Sequence, residues 1–133
     1  MKRRWGASTL VSVMELEEMR ALGVEKLGEA ARNASLRWVQ IPVTDGAVPD
    51  ARFQALWPAV VMILNEELFA DRSIVIHCRG GLGRTGVVAC LLLIERGYEP
   101  SDALRLVRST RPGTVETCDQ EAFVLAYQRR STK

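Results

Sequence analysis

Ligands for metals are scarce in this 133-residue chain: it has one histidine, His77, and three cysteines, Cys78, Cys90 and Cys118. An odd number of cysteines without paired spacing predicts neither a disulfide framework nor a zinc site. No metal and no cofactor is expected. Long apolar runs are also missing, so no membrane span is expected. Met1-Lys2-Arg3-Arg4 is followed by Trp5-Gly6-Ala7-Ser8 and not by the apolar stretch of a signal peptide, which predicts a cytoplasmic protein. Excess charge is absent too. Lys and Arg number 18 against 16 Asp and Glu, a net charge of +2, and no basic run carries interleaved aromatics. That balance excludes a nucleic-acid partner. A hydrophobic content of 47% over this length suits a single domain, residues 1–133, with one real core.

What the chain does have is the stretch His77–Gly86, HCRGGLGRTG. It follows the apolar run Ser73-Ile74-Val75-Ile76 and leads into Val87-Val88-Ala89-Cys90-Leu91-Leu92-Leu93-Ile94. The pattern predicts a buried strand, a glycine-rich turn and the start of a buried helix. Gly80, Gly81 and Gly83 are expected to take φ > 0 and turn backbone N–H groups inward, and a helix beginning near Thr85 adds its positive dipole end. Such a concavity fits a phosphate.

Three motifs compete for these residues. Gly81-Leu82-Gly83-Arg84-Thr85-Gly86 spells G-x-G-x-x-G, but a dinucleotide unit requires a second strand ending in an acid about 20 residues on. Here Arg96-Gly97-Tyr98-Glu99-Pro100-Ser101 is a turn into another helical pattern. The nucleotide-binding P-loop fails as well, because Cys78 stands where its first glycine belongs and Arg84 where its lysine belongs. What remains is a cysteine, five loop residues, an arginine and a threonine. Cys78 lies where N–H donors, an arginine and a helix N-terminus favour negative charge on sulfur, which makes it a nucleophile. Arg84 is spaced to return across the loop and offer a planar fork to two phosphate oxygens. Thr85 is placed to donate its hydroxyl to the sulfur. Arg79, Gly80, Gly81, Leu82, Gly83 and Arg84 are the expected phosphate-binding residues.

This string matches HC-x5-R-[ST], and from about Trp38 to Tyr127 the chain resembles the cysteine-based protein phosphatases. The resemblance is to the dual-specificity branch, and within it to the cyclin-dependent-kinase-inhibitor-3-like (kinase-associated) phosphatases. It implies a fold of the protein-tyrosine-phosphatase type: α/β, three layers, with a small central parallel sheet flanked by helices. Related phosphatases carry further strands upstream, whereas eight residues precede Thr9 here, so the family's most N-terminal strands are expected to be lacking. An uncovered sheet edge is a liability. Cover by a second copy, giving a homodimer, or by the N-terminal arm is expected.

Periodicity along the chain agrees with an α/β arrangement. A first strand is predicted over Thr9–Val13, a helix over Glu15–Leu22 closed by Gly23, a second helix over Glu25–Ala34 and a second strand over Trp38–Ile41. Phe53–Phe69 reads as a long core helix despite Pro58, which should kink it, with Trp57 in the core. A helix starts at Pro100 and is broken at Arg111-Pro112-Gly113-Thr114. Another, capped by Thr117, follows.

Ile41–Asp50 is too rich in Pro, Gly and Asp to be regular. In the resembling family the equivalent loop bears the general acid, and Asp45 occupies the matching position. Asp50 suits the N-cap of the next helix. The family's glutamine-bearing loop corresponds to Glu116–Phe123. Glu116 replaces the first glutamine of the tyrosine-specific branch and Gln120 is retained, so water placement by this loop is not expected, and Gln120 is either a supporting residue or a surface one. By resemblance, His77 lies behind the loop and orders its backbone. The resemblance implies a two-step reaction through a phosphocysteine, with Cys78, Arg84, Asp45 and Thr85 catalytic and a phosphorylated protein as substrate. Arg79, directly after the nucleophile, keeps a phosphoinositide substrate open, and a non-catalytic phosphoprotein-binding module is the third reading. A disulfide from Cys78 to Cys90 or Cys118 is a candidate redox response.

Overall fold

The computed structural model describes residues 7–80 and 82–129. The chain forms two compact units, the first made of the residues up to Thr44 with Pro49–His77, the second of Asp45–Val48 with the residues from Cys78 onward.

The first unit contains a sheet of three parallel strands, β1 (Ala7–Ser12), β2 (Arg37–Gln40) and β3 (Ser73–His77), in the order β2-β1-β3. Parallel neighbours require long crossovers. Helices α1 (Leu16–Ala21) and α2 (Leu27–Asn33) fill the connection from β1 to β2, and α3 (Ala51–Phe69) lies between β2 and β3. Central position explains the composition of β1, where Thr9, Val11 and Ser12 are fully buried. Each strand and helix begins within two residues of its predicted start. Asp50 caps α3 as expected, its carboxylate accepting from the backbone N–H of Arg52 at 3.0 Å and of Phe53 at 3.4 Å. The helix continues through Pro58. Trp57 is in the core and stacks on Phe53 with ring centroids 5.1 Å apart.

Two polar clusters tie the strands of this unit together. At the carboxyl end of β1, the Ser12 hydroxyl accepts from Trp38 Nε1 at 2.9 Å and pairs with His77 Nε2 at 2.6 Å, so one buried oxygen joins all three strands. The N-terminal arm considered as edge cover lies outside the described residues. At the other end of β1, the buried Glu67 of α3 accepts from the Ser8 hydroxyl and from Arg72 Nε. The Ser8 hydroxyl and the Arg72 guanidinium hold the Glu67 carboxyl below its ordinary value.

The second unit is helical: α4 (Gly83–Glu95), α5 (Pro100–Thr110) and α6 (Cys118–Ala126) contact one another pairwise. Val87, Val88, Leu91 and Ile94 on α4, Ala103 and Leu104 on α5, and Val124 on α6 are among its buried apolar residues. No helix among the described residues is long and apolar enough to cross a membrane.

Two stability measurements follow. A Cβ at Gly28 would lie 2.4 Å from the Trp38 ring, so Gly28→Ala must displace the indole from its bond to Ser12. Urea denaturation should register a loss of about 1–3 kcal/mol. Because the folded-state pKa of Glu67 is depressed, its contribution is present above the ordinary carboxyl range and is lost as pH falls through the folded value. The fall in urea midpoint between neutral and acid pH should be shallower in Glu67→Gln than in wild type.

Candidate active site

The loop after β3 and the first turn of α4 belong to the second unit. Gly80 takes φ +82°, as expected for the turn, and Gly81 lies outside the described residues. Gly83 corrects the sequence reading. It is the first residue of α4 and is not in the left-handed region; its lack of a side chain serves close packing instead. A Cβ there would stand 2.7 Å from Glu116 Oε1 and 3.1 and 3.2 Å from the two polar atoms of the Gln120 carboxamide. The helix therefore starts two residues earlier than expected, and the N–H groups of Gly83, Arg84 and Thr85 fall in the first turn, where no intrahelical acceptor exists.

The loop is held from outside by the turn before α6. Val115 N–H donates to the Leu82 carbonyl at 2.9 Å. Val115 itself sits at φ +60°, a conformation costly for a β-branched residue. Arg108 on α5 secures it, donating to the carbonyls of Thr114 at 2.9 Å and Val115 at 2.8 Å. Gly86 allows this turn to approach α4, since a Cβ would be 2.9 Å from Val115 N. Sequence reasoning missed Val115 and Arg108; nothing in a valine signals a left-handed backbone.

Arg84 is almost completely buried, with 1% of its side-chain surface exposed, and its Nη2 lies 3.4 Å from Asp45 Oδ1. Two residues 39 positions apart in sequence, assigned to one reaction, are thus brought together. Asp45 is 64% exposed and precedes Gly46, whose φ of +78° closes the turn. The rival carboxylate is committed elsewhere. The Arg52 guanidinium beside Asp50 holds its carboxyl below the usual value, which suits a cap and not a proton donor.

Cys78 is half-buried, and its thiol donates to the Arg79 carbonyl at 3.6 Å. The hydroxyl of Thr85 makes no bond to it: Thr85 Oγ1 is buried and, among the described residues, has no hydrogen-bond partner. Thr85 is the third residue of α4. Arg79 is exposed and Leu82 half-buried. His77 ends β3 in the first unit, its ring paired with Ser12. Gln120 is not a surface residue but fully buried, and it completes a capping box with Thr117. Its Nε2 also donates to the carbonyl of Ala47, two residues beyond Asp45, at 3.1 Å. Ala47 has no sequence signal, because its main chain is what is used.

Comparison with known proteins bears on this arrangement. The family model described as Swiss Army Knife protein, DSP-PTPase phosphatase domain, matches residues 2–124. The protein tyrosine phosphatase type IVA 3 of Bos taurus is 31% identical over 118 residues, covering 86% of this chain and 61% of that protein. The chain spans between about a third and three fifths of the length of the curated relatives it matches. A crystal structure of kinase associated phosphatase, with its catalytic cysteine substituted by serine, superposes with a TM-score of 0.80 at 25% identity, covering 92% of this chain and 68% of that one. Tk-PTP in the active form gives 0.69 at 29% identity, covering 89% and 75%. These likenesses bear out the expected α/β phosphatase fold and the resemblance to kinase-associated phosphatases.

One chemical prediction separates the thiols. Burial pushes the Cys90 thiol up to about 11, so it stays protonated and shielded at pH 8. Iodoacetamide on the native protein should label the exposed Cys118 and leave Cys90 unmodified until denaturant is added, as read by peptide mass spectrometry.

Proposed function

Since the chain belongs to the Swiss Army Knife family of DSP-PTPase phosphatase domains, we propose that it hydrolyses phosphotyrosine and phosphoserine or phosphothreonine in proteins through a phosphocysteine, without a metal. The observation that carries this reading is the 3.4 Å approach of Asp45 to Arg84, six residues after Cys78. A nucleophile, an anion-binding fork and a proton donor then belong to one unit.

In the first step the sulfur of Cys78, as thiolate, attacks phosphorus in line, an S–P bond forms and the ester P–O bond breaks. Arg84 and the first-turn N–H groups of α4 hold the equatorial oxygens, where transition-state charge is spread. The incoming phosphate supplies the negative charge that Arg84 otherwise receives from Asp45. Asp45 passes its proton to the leaving oxygen. In the second step water attacks phosphorus, Asp45 takes its proton, and the S–P bond breaks. The unpartnered Thr85 hydroxyl is then the donor to the departing sulfur. Burying a hydroxyl without a partner costs about 1–3 kcal/mol, which a role in turnover explains.

The relatives' names are those of protein tyrosine phosphatases, which favours a phosphoprotein over a phosphoinositide.

Steady-state hydrolysis of phosphotyrosine and phosphothreonine peptides in EDTA tests the proposal. Wild type should turn over undiminished by the chelator, and Cys78→Ser should be inactive. Asp45→Asn should lose roughly 10²- to 10⁴-fold in kcat, more on phosphothreonine, whose alkoxide needs the proton more than a phenolate does. Thr85→Ala should slow the second step and produce a burst of product. A wild-type protein that binds both peptides and releases no phosphate would make the site a reader instead.

A further inference from the structure

We propose that Gln120 is a positioning residue for the general acid: its carboxamide holds the carbonyl of Ala47 and thereby the turn that carries Asp45. The proposal rests on the reading of Asp45 as the acid. Gln120 is fully buried. Its Oε1 accepts from the backbone N–H of Glu116 at 3.0 Å and of Thr117 at 3.2 Å. Two N–H donors on one face fix the orientation of the amide, because only the oxygen can accept them. Nε2 must then point the other way, and there it meets Ala47 O at 3.1 Å, across 73 residues of sequence.

A cap alone would not require this geometry. Capping boxes are satisfied at exposed helix ends by the oxygen alone, and neither full burial nor a use for Nε2 follows from them. The second contact of Gln120 strengthens the case. Its carboxamide packs on Gly83, the residue before Arg84, closely enough that a Cβ there would be 3.1 Å from Oε1. One neutral side chain therefore touches both the turn bearing Asp45 and the turn bearing Arg84. The Asp45–Arg84 pair, at 3.4 Å with Asp45 largely exposed, is too long and too open to fix the loop unaided. Gln120 supplies the restraint without adding a charge that would compete with phosphate for Arg84.

Two variants separate tether from cap. Gln120→Glu keeps an oxygen for the two N–H groups and removes the donor to Ala47, and Gln120→Met removes both at similar volume. Each is assayed beside Asp45→Asn on phenyl phosphate, whose phenol resembles tyrosine with a pKa of ~10, and on p-nitrophenyl phosphate, whose phenol is more acidic. Loss of acid catalysis penalises the poorer leaving group. Thermal melting identifies folded variants, and either suffices. The expected result is a fall in kcat of about 10-fold or more on phenyl phosphate, little change on p-nitrophenyl phosphate and an unchanged KM. The alkaline limb of the pH–rate profile should flatten, and combination with Asp45→Asn should cost no more than Asp45→Asn alone. Equal slowing on both substrates by a folded variant, with Asp45→Asn still selective, would leave Gln120 a cap and overturn the proposal. An Asp45→Asn enzyme that is itself unselective would remove the acid assignment, and the tether with it.

Discussion

A guanidinium with almost no exposed surface has to be compensated where it lies, and the second unit is arranged around that requirement at Arg84. The first turn of α4 places the side chain, Gly83 leaves room for the neighbouring loop, and Asp45 brings an opposite charge. An isolated buried cation is expensive, whereas one with a displaceable carboxylate is ready for an anion that binds better. A phosphate can present two oxygens to the fork in the bidentate geometry that guanidinium favours. In the proposed reaction, the resting ion pair and the binding of phosphate are two uses of one charge.

Main-chain contacts restrain the segments around this charge. Val115 donates to Leu82, Arg108 pins Val115, and Gln120 links Ala47 to the start of α6. Each bond spans a large sequence distance or restrains a strained backbone. The strain at Val115 is held in place by its surroundings, as expected for an unfavourable conformation that persists. In the first unit the analogous device is Ser12, whose single hydroxyl joins β1 to Trp38 of β2 and His77 of β3.

Much of this was legible in the sequence, and the failures have common causes. The strand-loop-helix layout of His77–Gly86, the N-cap at Asp50 and the core position of Trp57 follow from side-chain chemistry and spacing, whereas Asp45 was reached through the family resemblance. Gly83 was misread because a glycine reports that a side chain is excluded, not whether torsion or crowding excludes it. The two readings separate only when Glu116 and Gln120, over 30 residues later, are seen against it. The Thr85 hydroxyl is bonded to nothing among the described residues of the resting site, and residue type alone does not reveal that this buried group is left without a partner. Ala47 and Val115 act through carbonyl, amide and torsion, which leave no trace in residue type.

The four residues Asp45–Val48 belong to the second unit although the chain on either side of them belongs to the first. The backbone therefore passes from one unit to the other three times, at 44/45, at 48/49 and at 77/78. A gene cut at the last of these junctions would yield one piece with Asp45 but no Arg84, and another with Arg84 but no Asp45. Neither unit is a transferable cassette, so recombination among relatives that swaps one for the other must also preserve a four-residue excursion in the piece it leaves behind.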